Sequence, residues 1–450
     1  MLDLLILGGG ISGLTLAHAA QKAGLQFQLL EASSRVGGVI RTLEGTQESG
    51  PDVLLLKPAV VELLHELNLD DQLIRPAPSS PRIARHGKLW PLPDGFRMLA
   101  PTRLLPFALS PLLSWPGKFR ALADLWLPAG NDPDPSLGSW VTRRLGKELC
   151  DQLVQPLLGG IYAADPARLS VAATMPHLLA LEKRGGLIRG LMQSPPAPPS
   201  MASLRDGLSV LAQRLQAAVA ERVELSAPVA SLEPLEQGWM AVDPRGGRRW
   251  TARQLALALP APAAGRLLQG LDPELALPVQ GIHCRSVAVL NLSYQAQQLG
   301  QDSALSGALI PIKEGGCISA FSVSHLKWPE RARPGQVHLR IHLGGFGREQ
   351  FLDLDDEALI ALALRQIAGW IGLKGQPGWV NLQRHQRQMP EYRCGHLQTM
   401  ARLDDVLKRW PGLWMAGNWL RGVGMADCIT RARELALLIR QQALPQAVGV

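Results

Sequence analysis

Tyrosine is nearly missing from this chain, three in 450 residues beside seven phenylalanines, so a cage of tyrosine rings around a cationic substrate has little material to draw on, although twelve tryptophans could serve. Cysteine is also sparse. Cys150, Cys284, Cys317, Cys394 and Cys428 are odd in number, widely spaced and without a C-x-x-C pair, which argues against a disulfide framework and against a zinc site. No metal is expected. Lysine gives way to arginine, 10 against 36, and the net charge of +8 is dispersed along the chain with no nucleic-acid motif. No nucleic-acid partner is expected, and the charge suits anionic lipid or a carboxylate-bearing substrate. Met1-Leu2-Asp3 has no basic n-region, so no cleavable leader is expected. The most apolar stretch, Leu89 to Pro128, has as its longest charge-free run only Leu104 to Gly117, which contains three prolines and is too short to span a bilayer.

What is present is the composition of a folded protein, 46% hydrophobic and 19% charged, with a length that favours two or three domains. Its organising stretch is a strand, Leu4 to Leu7, running into Gly8-Gly9-Gly10-Ile11-Ser12-Gly13 and a helix from Leu14 to Ala23. The glycine spacing G-x-G-x-x-G permits a tight turn, a close approach by a pyrophosphate and close packing of helix on strand. A second strand, Phe27 to Leu30, ends in Glu31, placed to accept hydrogen bonds from an adenosine ribose. Arg35, in the loop with Gly37-Gly38, can meet a phosphate.

Further on, Val60 to Leu69 reads as a helix, Leu137 to Leu158 and Leu169 to Met192 as helical patterns, and Ser194 to Ser200 as a proline-rich linker. The Leu89 to Pro128 stretch fits either the wall of an apolar pocket or a monotopic surface whose Arg97, Arg103, Lys118 and Arg120 meet headgroups. After a helix at Leu208 to Ala220, strands at 223–225, 229–232, 239–242 and 255–259 read as a return to the opening sheet, stopped by Pro260-Ala261-Pro262. A second, antiparallel sheet is expected from 286–292, 308–312, 317–323 and 337–343, covered by a helix from Glu357 to Ile371. Near the end, a strand closing in Ala416-Gly417-Asn418 precedes Gly422 to Asp427 and a helix from Cys428 to Gln441, a second glycine-lined helix N-terminus beside which a cofactor could lie.

The cradle, Glu31 to Gly38, Glu48 to Asp52, Gln155-Pro156-Leu157-Leu158-Gly159-Gly160-Ile161-Tyr162-Ala163-Ala164-Asp165-Pro166, Tyr392 to His396 and Ala416 to Ile429 together resemble the FAD-dependent amine oxidase superfamily. Within it they resemble the oxygen-dependent protoporphyrinogen oxidase family. The resemblance implies an α/β FAD-binding Rossmann-like fold of glutathione-reductase type, an α+β substrate domain and an inserted helical, membrane-associating domain. FAD-binding segments are expected at 1–78, 201–262 and 386–450, the helical domain at 79–200 and the substrate domain at 263–385.

For FAD the resemblance implies Gly8, Gly9, Gly10, Ile11, Ser12 and Gly13 at the diphosphate, Glu31 and Ala32 at the ribose, and Arg35, Gly38 and Val39 along the dinucleotide. Gly50, Pro51, Asp52 and Val53 would run near the flavin, Val229 at adenine, and Val423, Gly424 and Met425 at the isoalloxazine end. Arg82 matches a propionate-binding arginine and Gly160 a carbonyl facing the substrate. Leu309 and Phe321 match apolar pocket walls, which core packing explains equally well. The implied reaction takes six hydrogens from protoporphyrinogen IX, with oxygen as acceptor and hydrogen peroxide as by-product. Coproporphyrinogen III, with four propionates, is the close variant; an amine oxidase or carotenoid desaturase and a non-enzymatic scaffold are the other readings. Expected partners are the porphyrinogen, molecular oxygen, a peripheral membrane contact on the cytoplasmic face, and either ferrochelatase or a homodimer mate.

Overall fold

The structure, a computed structural model, describes residues 1–443 apart from 79–80, 98, 195–199 and 301–304, so most of the expected linker lies outside the described residues. Two compact units are present, one formed by Met1–Ile74, Ser200–His283 and Gln398–Val450, the other by Arg75–Pro199 and Cys284–Leu397.

The first unit is built on a seven-stranded sheet. Its order is Val223–Glu224, Phe27–Leu30, Leu2–Leu7, Arg249–Leu257, Gly238–Val242, Ser231–Leu235, with Leu413–Met415 pairing the last residues of Arg249–Leu257. The strands that flank Leu2–Leu7 run parallel to it, and its last four residues, all apolar, are buried, as a central parallel strand requires. The first helix, Ile11–Lys22, begins earlier than its apolar pattern, because Gly10 is its N-cap and the glycines are already turning into it. Its Leu14, Leu16, Ala17 and Ala20 share one core with Leu29, Leu63, Leu211, Ile429 and Ala432. The C-terminal helix, Met425–Ala443, likewise starts ahead of the expected Cys428.

Pro260-Ala261-Pro262 does not simply stop a strand. It opens a helix, Ala261–Leu271, because proline at the first turn loses no hydrogen bond there. That helix and Pro273–Gln280 fall in the first unit, whose boundary is at His283, later than the expected 262.

The second unit holds a seven-stranded sheet in the order Trp379–Pro390, Cys284–Gln295, Gln336–Gly344, Ile318–Val323, Gly307–Leu309, Arg82–Arg85, Lys88–Pro91. Two parts of it differ from expectation. The 82–91 segment, placed by sequence in a helical domain, is a hairpin that joins this sheet through Ala308↔Arg82 and Leu309↔Ile83. The long Trp379–Pro390 strand lacks the apolar alternation that marks a strand, and it sits at the sheet edge where one partner suffices. Asp356–Ile371 covers one face, its Leu359, Ala363 and Ile367 meeting Leu290, Phe321, Leu339 and Ile341. The Leu137–Leu158 pattern is divided by a π-helical turn at Cys150–Val154, and the helices here are short. The fully buried Arg144 pairs with the fully buried Asp124 and donates to the carbonyls of Leu127 and Pro128.

No helix among the described residues is long and apolar enough to cross a membrane. In Leu104–Leu109 and Trp115–Leu122, and just beyond, Leu105, Leu109, Trp115, Phe119 and Trp126 are 60–78% exposed. The basic side chains expected at headgroups are engaged within the protein. Lys118 is buried and donates to Ala108 O, Arg120 donates to the carbonyls of Thr142, Arg143 and Arg144, and Arg103 pairs with Asp94.

An ion cluster ties the C-terminal helix down. Burial works against the charge on Glu66, yet hydrogen bonds from Arg433 and Lys22 hold its carboxyl at about 2. A depressed folded-state pKa contributes stability above the unfolded value of roughly 4.3, lost as pH falls toward 2. Glu66→Gln should therefore cost about 1–2 kcal/mol at pH 7 in urea unfolding, and the gap from wild type should close between pH ~4.5 and 2. An equal gap at pH 7 and pH 3 would contradict this.

Candidate cofactor and substrate sites

The cradle is set by what its glycines lack. A Cβ on Gly13 would lie 1.9 Å from Gly8 O, and one on Gly8, whose φ is +108°, would lie 2.4 Å from Ala258 O. Helix and strand therefore meet backbone to backbone. A Cβ on Gly10 would meet nothing within 4 Å, so the structure holds open space where a diphosphate would approach. Four helix N–H groups without intrahelical partners face that end.

Glu31 closes the cradle from the next strand. Its Oε2 accepts from Gly9 N at 2.7 Å, while Oε1 accepts from the Ser33 N–H and hydroxyl, leaving lone pairs for ribose hydroxyls. Ala32 is exposed beside it. The following loop lies on the cradle, since Gly37 N donates to Gly9 O and Gly38 sits against Gly10. Arg35 is more a part of that loop than sequence implied, for it donates to the carbonyls of Val36, Gly38 and Ile40. Gly50 packs on Val39, where a Cβ would lie 1.8 Å from Val39 O, so the turn of Gly50, Pro51, Asp52 and Val53 continues from the same loop. Val229 lies in a loop rather than a strand, tied back by Ala227 N donating to Glu31 O.

The two helix N-termini are neighbours. Ile11–Lys22 packs on Met425–Ala443, and Ser12 hydrogen-bonds Cys428, whose thiol burial pushes up to about 11. Val423, Gly424 and Met425 follow Gly422, whose φ is +118°, and the Asp427 carboxylate fills the turn and pairs with Lys57. Lys57 carries no motif signal, and only its pairing with Asp427 across the fold marks it. All the expected cofactor residues thus belong to the first unit and line one end of its sheet. A cleft of about 760 Å³, lined by Trp239, Arg253 and Trp410 among others, lies at the opposite end of the strands.

In the second unit the strand register sorts the other expected residues. Gly160, exposed on the helix Gln155–Tyr162, lies against Leu309, with 3.6 Å from a built Cβ to Leu309 Cδ2. Leu309 pairs with Ala320 on one face. Phe321 pairs with Ala308 on the other face and is a core residue, 3% exposed beneath Asp356–Ile371, because alternation along the strand points it there. Arg82, opposite Ala308, shares the face of Phe321, so it is not gathered with Gly160 and Leu309. After Gly160 the helix ends at Ala163 with φ +52°, a left-handed value in which alanine is strained. Glu391 secures this segment: it accepts from Asp165 N at 2.9 Å and from Arg393 Nε at 2.7 Å, and meets Arg285 at 3.2 Å. Burial opposes its charge, but these donors hold the carboxyl below the usual carboxylate range.

A profile of the family described as flavin containing amine oxidoreductase matches residues 11–439. The chain belongs to that family. It is a flavin-dependent oxidoreductase whose cofactor is FAD, and the open cradle with Glu31 at its side fits that dinucleotide. A Bacillus subtilis protein named coproporphyrinogen III oxidase is 30% identical over 96% of both chains. A spinach chloroplast protein named protoporphyrinogen oxidase 1 is 28% identical over 97% of this chain and 84% of its own. A solved structure from Exiguobacterium, assigned provisionally as a protoporphyrinogen oxidase, superposes with a TM-score of 0.87 at 29% identity, covering 98% and 99% of the two chains.

Gly10 and Gly13 of this flavoprotein separate binding from folding. Gly10→Ala should lower FAD affinity by about tenfold or more while the apoprotein melts as wild type, since its methyl enters only open space. Gly13→Ala should lower the melting temperature of the apoprotein as well. Flavin absorbance titrations beside apoprotein melts check both.

Proposed function

We propose that this flavoprotein oxidises a porphyrinogen to the corresponding porphyrin. The reading rests on full-length similarity to relatives named for that chemistry, among which coproporphyrinogen III and protoporphyrinogen IX are both represented. Bound FAD supplies a two-electron acceptor that dioxygen regenerates with release of hydrogen peroxide, so three turns remove six hydrogens.

The chain's own part is positional. The cradle and Glu31 hold the dinucleotide, and the Met425–Ala443 helix directs its N-terminus at the same end of the sheet. In the second unit Gly160, exposed on its helix and in contact with Leu309, offers a flat ring a surface without a side chain. Glu391 and its arginines fix the 163–166 turn that ends the Gly160 helix. An apolar support of this kind orients a macrocycle without a strong general base, since the product gains aromatic conjugation.

The reading is tested by supplying each porphyrinogen under air to the purified holoenzyme and following porphyrin fluorescence and peroxide. Flavin bands in the visible spectrum and three peroxides per porphyrin are expected. A protein without flavin is not this enzyme, and one with flavin but no porphyrin product would belong with the amine oxidases or desaturases of the same fold.

The exposed Leu105, Leu109, Trp115, Phe119 and Trp126 also support peripheral contact with a membrane surface. Flotation with vesicles should carry the wild type, and Trp115→Ser with Phe119→Ser should abolish it. Vesicle-independent dimerisation, or capture of ferrochelatase alone, would place a protein on that patch instead.

A further inference from the structure

An acid stands where the fold directs a second helix N-terminus at the cofactor end. Asp427 lies in the first turn of Met425–Ala443, with its carboxylate against the glycine turn that precedes the helix. Gly424 in that turn is exposed, and a Cβ built on it would meet one atom within 4 Å beyond its chain neighbours, Asp427 Oδ2 at 3.3 Å. A ligand approaching this open backbone therefore meets an acid. The next residue, Cys428, is hydrogen-bonded to Ser12 of the cradle, so the carboxylate is one residue from a contact with the phosphate-binding loop.

A helix N-terminus carries about half a positive charge, which draws anions to it. A carboxylate in the first turn is stabilised by that dipole, but it cancels the field that an arriving anion would feel. The dinucleotide is such an anion. Its diphosphate carries two negative charges, and two-electron reduction with uptake of one proton adds a third. An uncompensated Asp427 opposes both binding and reduction.

Lys57 supplies the compensation from a distant part of the chain. It is the N-cap residue of Pro58–Glu66, a helix that packs on Met425–Ala443. Its ammonium pairs with Asp427 Oδ1, while Oδ2 is the oxygen beside Gly424. Arg35 at the same end is engaged by the carbonyls of its own loop. The pair is partly open to solvent, Lys57 47% and Asp427 29% exposed, so its effect is moderate and salt-sensitive.

We propose that Lys57 neutralises Asp427 so that the second helix N-terminus stays electropositive, and that this strengthens FAD binding and favours the reduced, more negative flavin. Lys57 is a positioning residue that acts on the cofactor through Asp427. The proposal rests on FAD occupying the open cradle and is independent of which substrate is oxidised.

The test is a charge cycle. Lys57→Met, Asp427→Asn and the double variant are stripped of flavin. FAD affinity, the midpoint potential of the reconstituted proteins and the melting temperatures of the apoproteins are then measured. Lys57→Met should weaken FAD binding about fivefold and bias the bound flavin about fivefold against reduction, which for two electrons is about 20 mV more negative. Asp427→Asn should shift both quantities in the opposite direction, and the double variant should lie within about twofold of wild type. Both shifts should shrink as salt is raised to ~0.5 M, and Lys57→Arg should match wild type. A packing role gives a different pattern, in which both single variants lose affinity and melt lower at every salt concentration; that result overturns the proposal. Unchanged affinity and potential in Lys57→Met overturn it as well. If Lys57→Met does not fold, Lys57→Gln takes its place. A wild-type apoprotein that takes up no FAD refutes the cradle as the FAD site, whereas wild-type uptake with unshifted variants refutes only the role of Lys57.

Discussion

Contact between two backbones, Gly13 over Gly8, sets the geometry on which the first unit depends. With no side chain on either residue, the first helix can lie close enough to the Leu2–Leu7 strand to direct its N-terminus across the strand end. The same approach brings Leu14, Leu16 and Ala17 down onto the sheet, where they share a core with the C-terminal helix. Ser12 then reaches Cys428, so two helix dipoles converge on one end of one sheet. Loop 31–40 and the Gly50 turn are laid against that end by their own missing side chains.

Much of this was legible from local sequence. The cradle, Glu31, the strand Phe27–Leu30 and the covering helix of the second unit all arise from patterns within about twenty residues, where periodicity and glycine spacing act directly. What escaped was long-range. The Arg82–Pro91 hairpin falls in the segment 79–200 expected as a helical domain, and its assignment to a sheet depends on Gly307–Leu309, over two hundred residues later. Trp379–Pro390 is polar without a break from Gln383 to Gln388, and only its pairing along Cys284–Gln295 makes it a strand. Lys57 is an ordinary surface type until the fold joins it to Asp427.

Register carries a further lesson in the second unit. Leu309 and Phe321 are both apolar residues on neighbouring strands, and composition treats them alike. One step of pleat separates their fates: Phe321 supports the helix Asp356–Ile371, while Leu309 faces Gly160. A polar row of Ser322, Arg340, Asn291 and Asn381 arises in the same way, from single residues on four strands that have no motif in common.

The first unit is assembled from three separated pieces of chain, and its sheet takes a strand from each of them: Leu2–Leu7, Arg249–Leu257 and Leu413–Met415. During synthesis the opening βαβ half therefore waits, its Leu16 and Ala17 surface exposed, until nearly the whole polypeptide has left the ribosome and Ile429, Ala432 and Ala436 arrive to cover it. Completion of the cofactor end consequently waits for a segment, Met425–Ala443, that lies some four hundred residues along the chain.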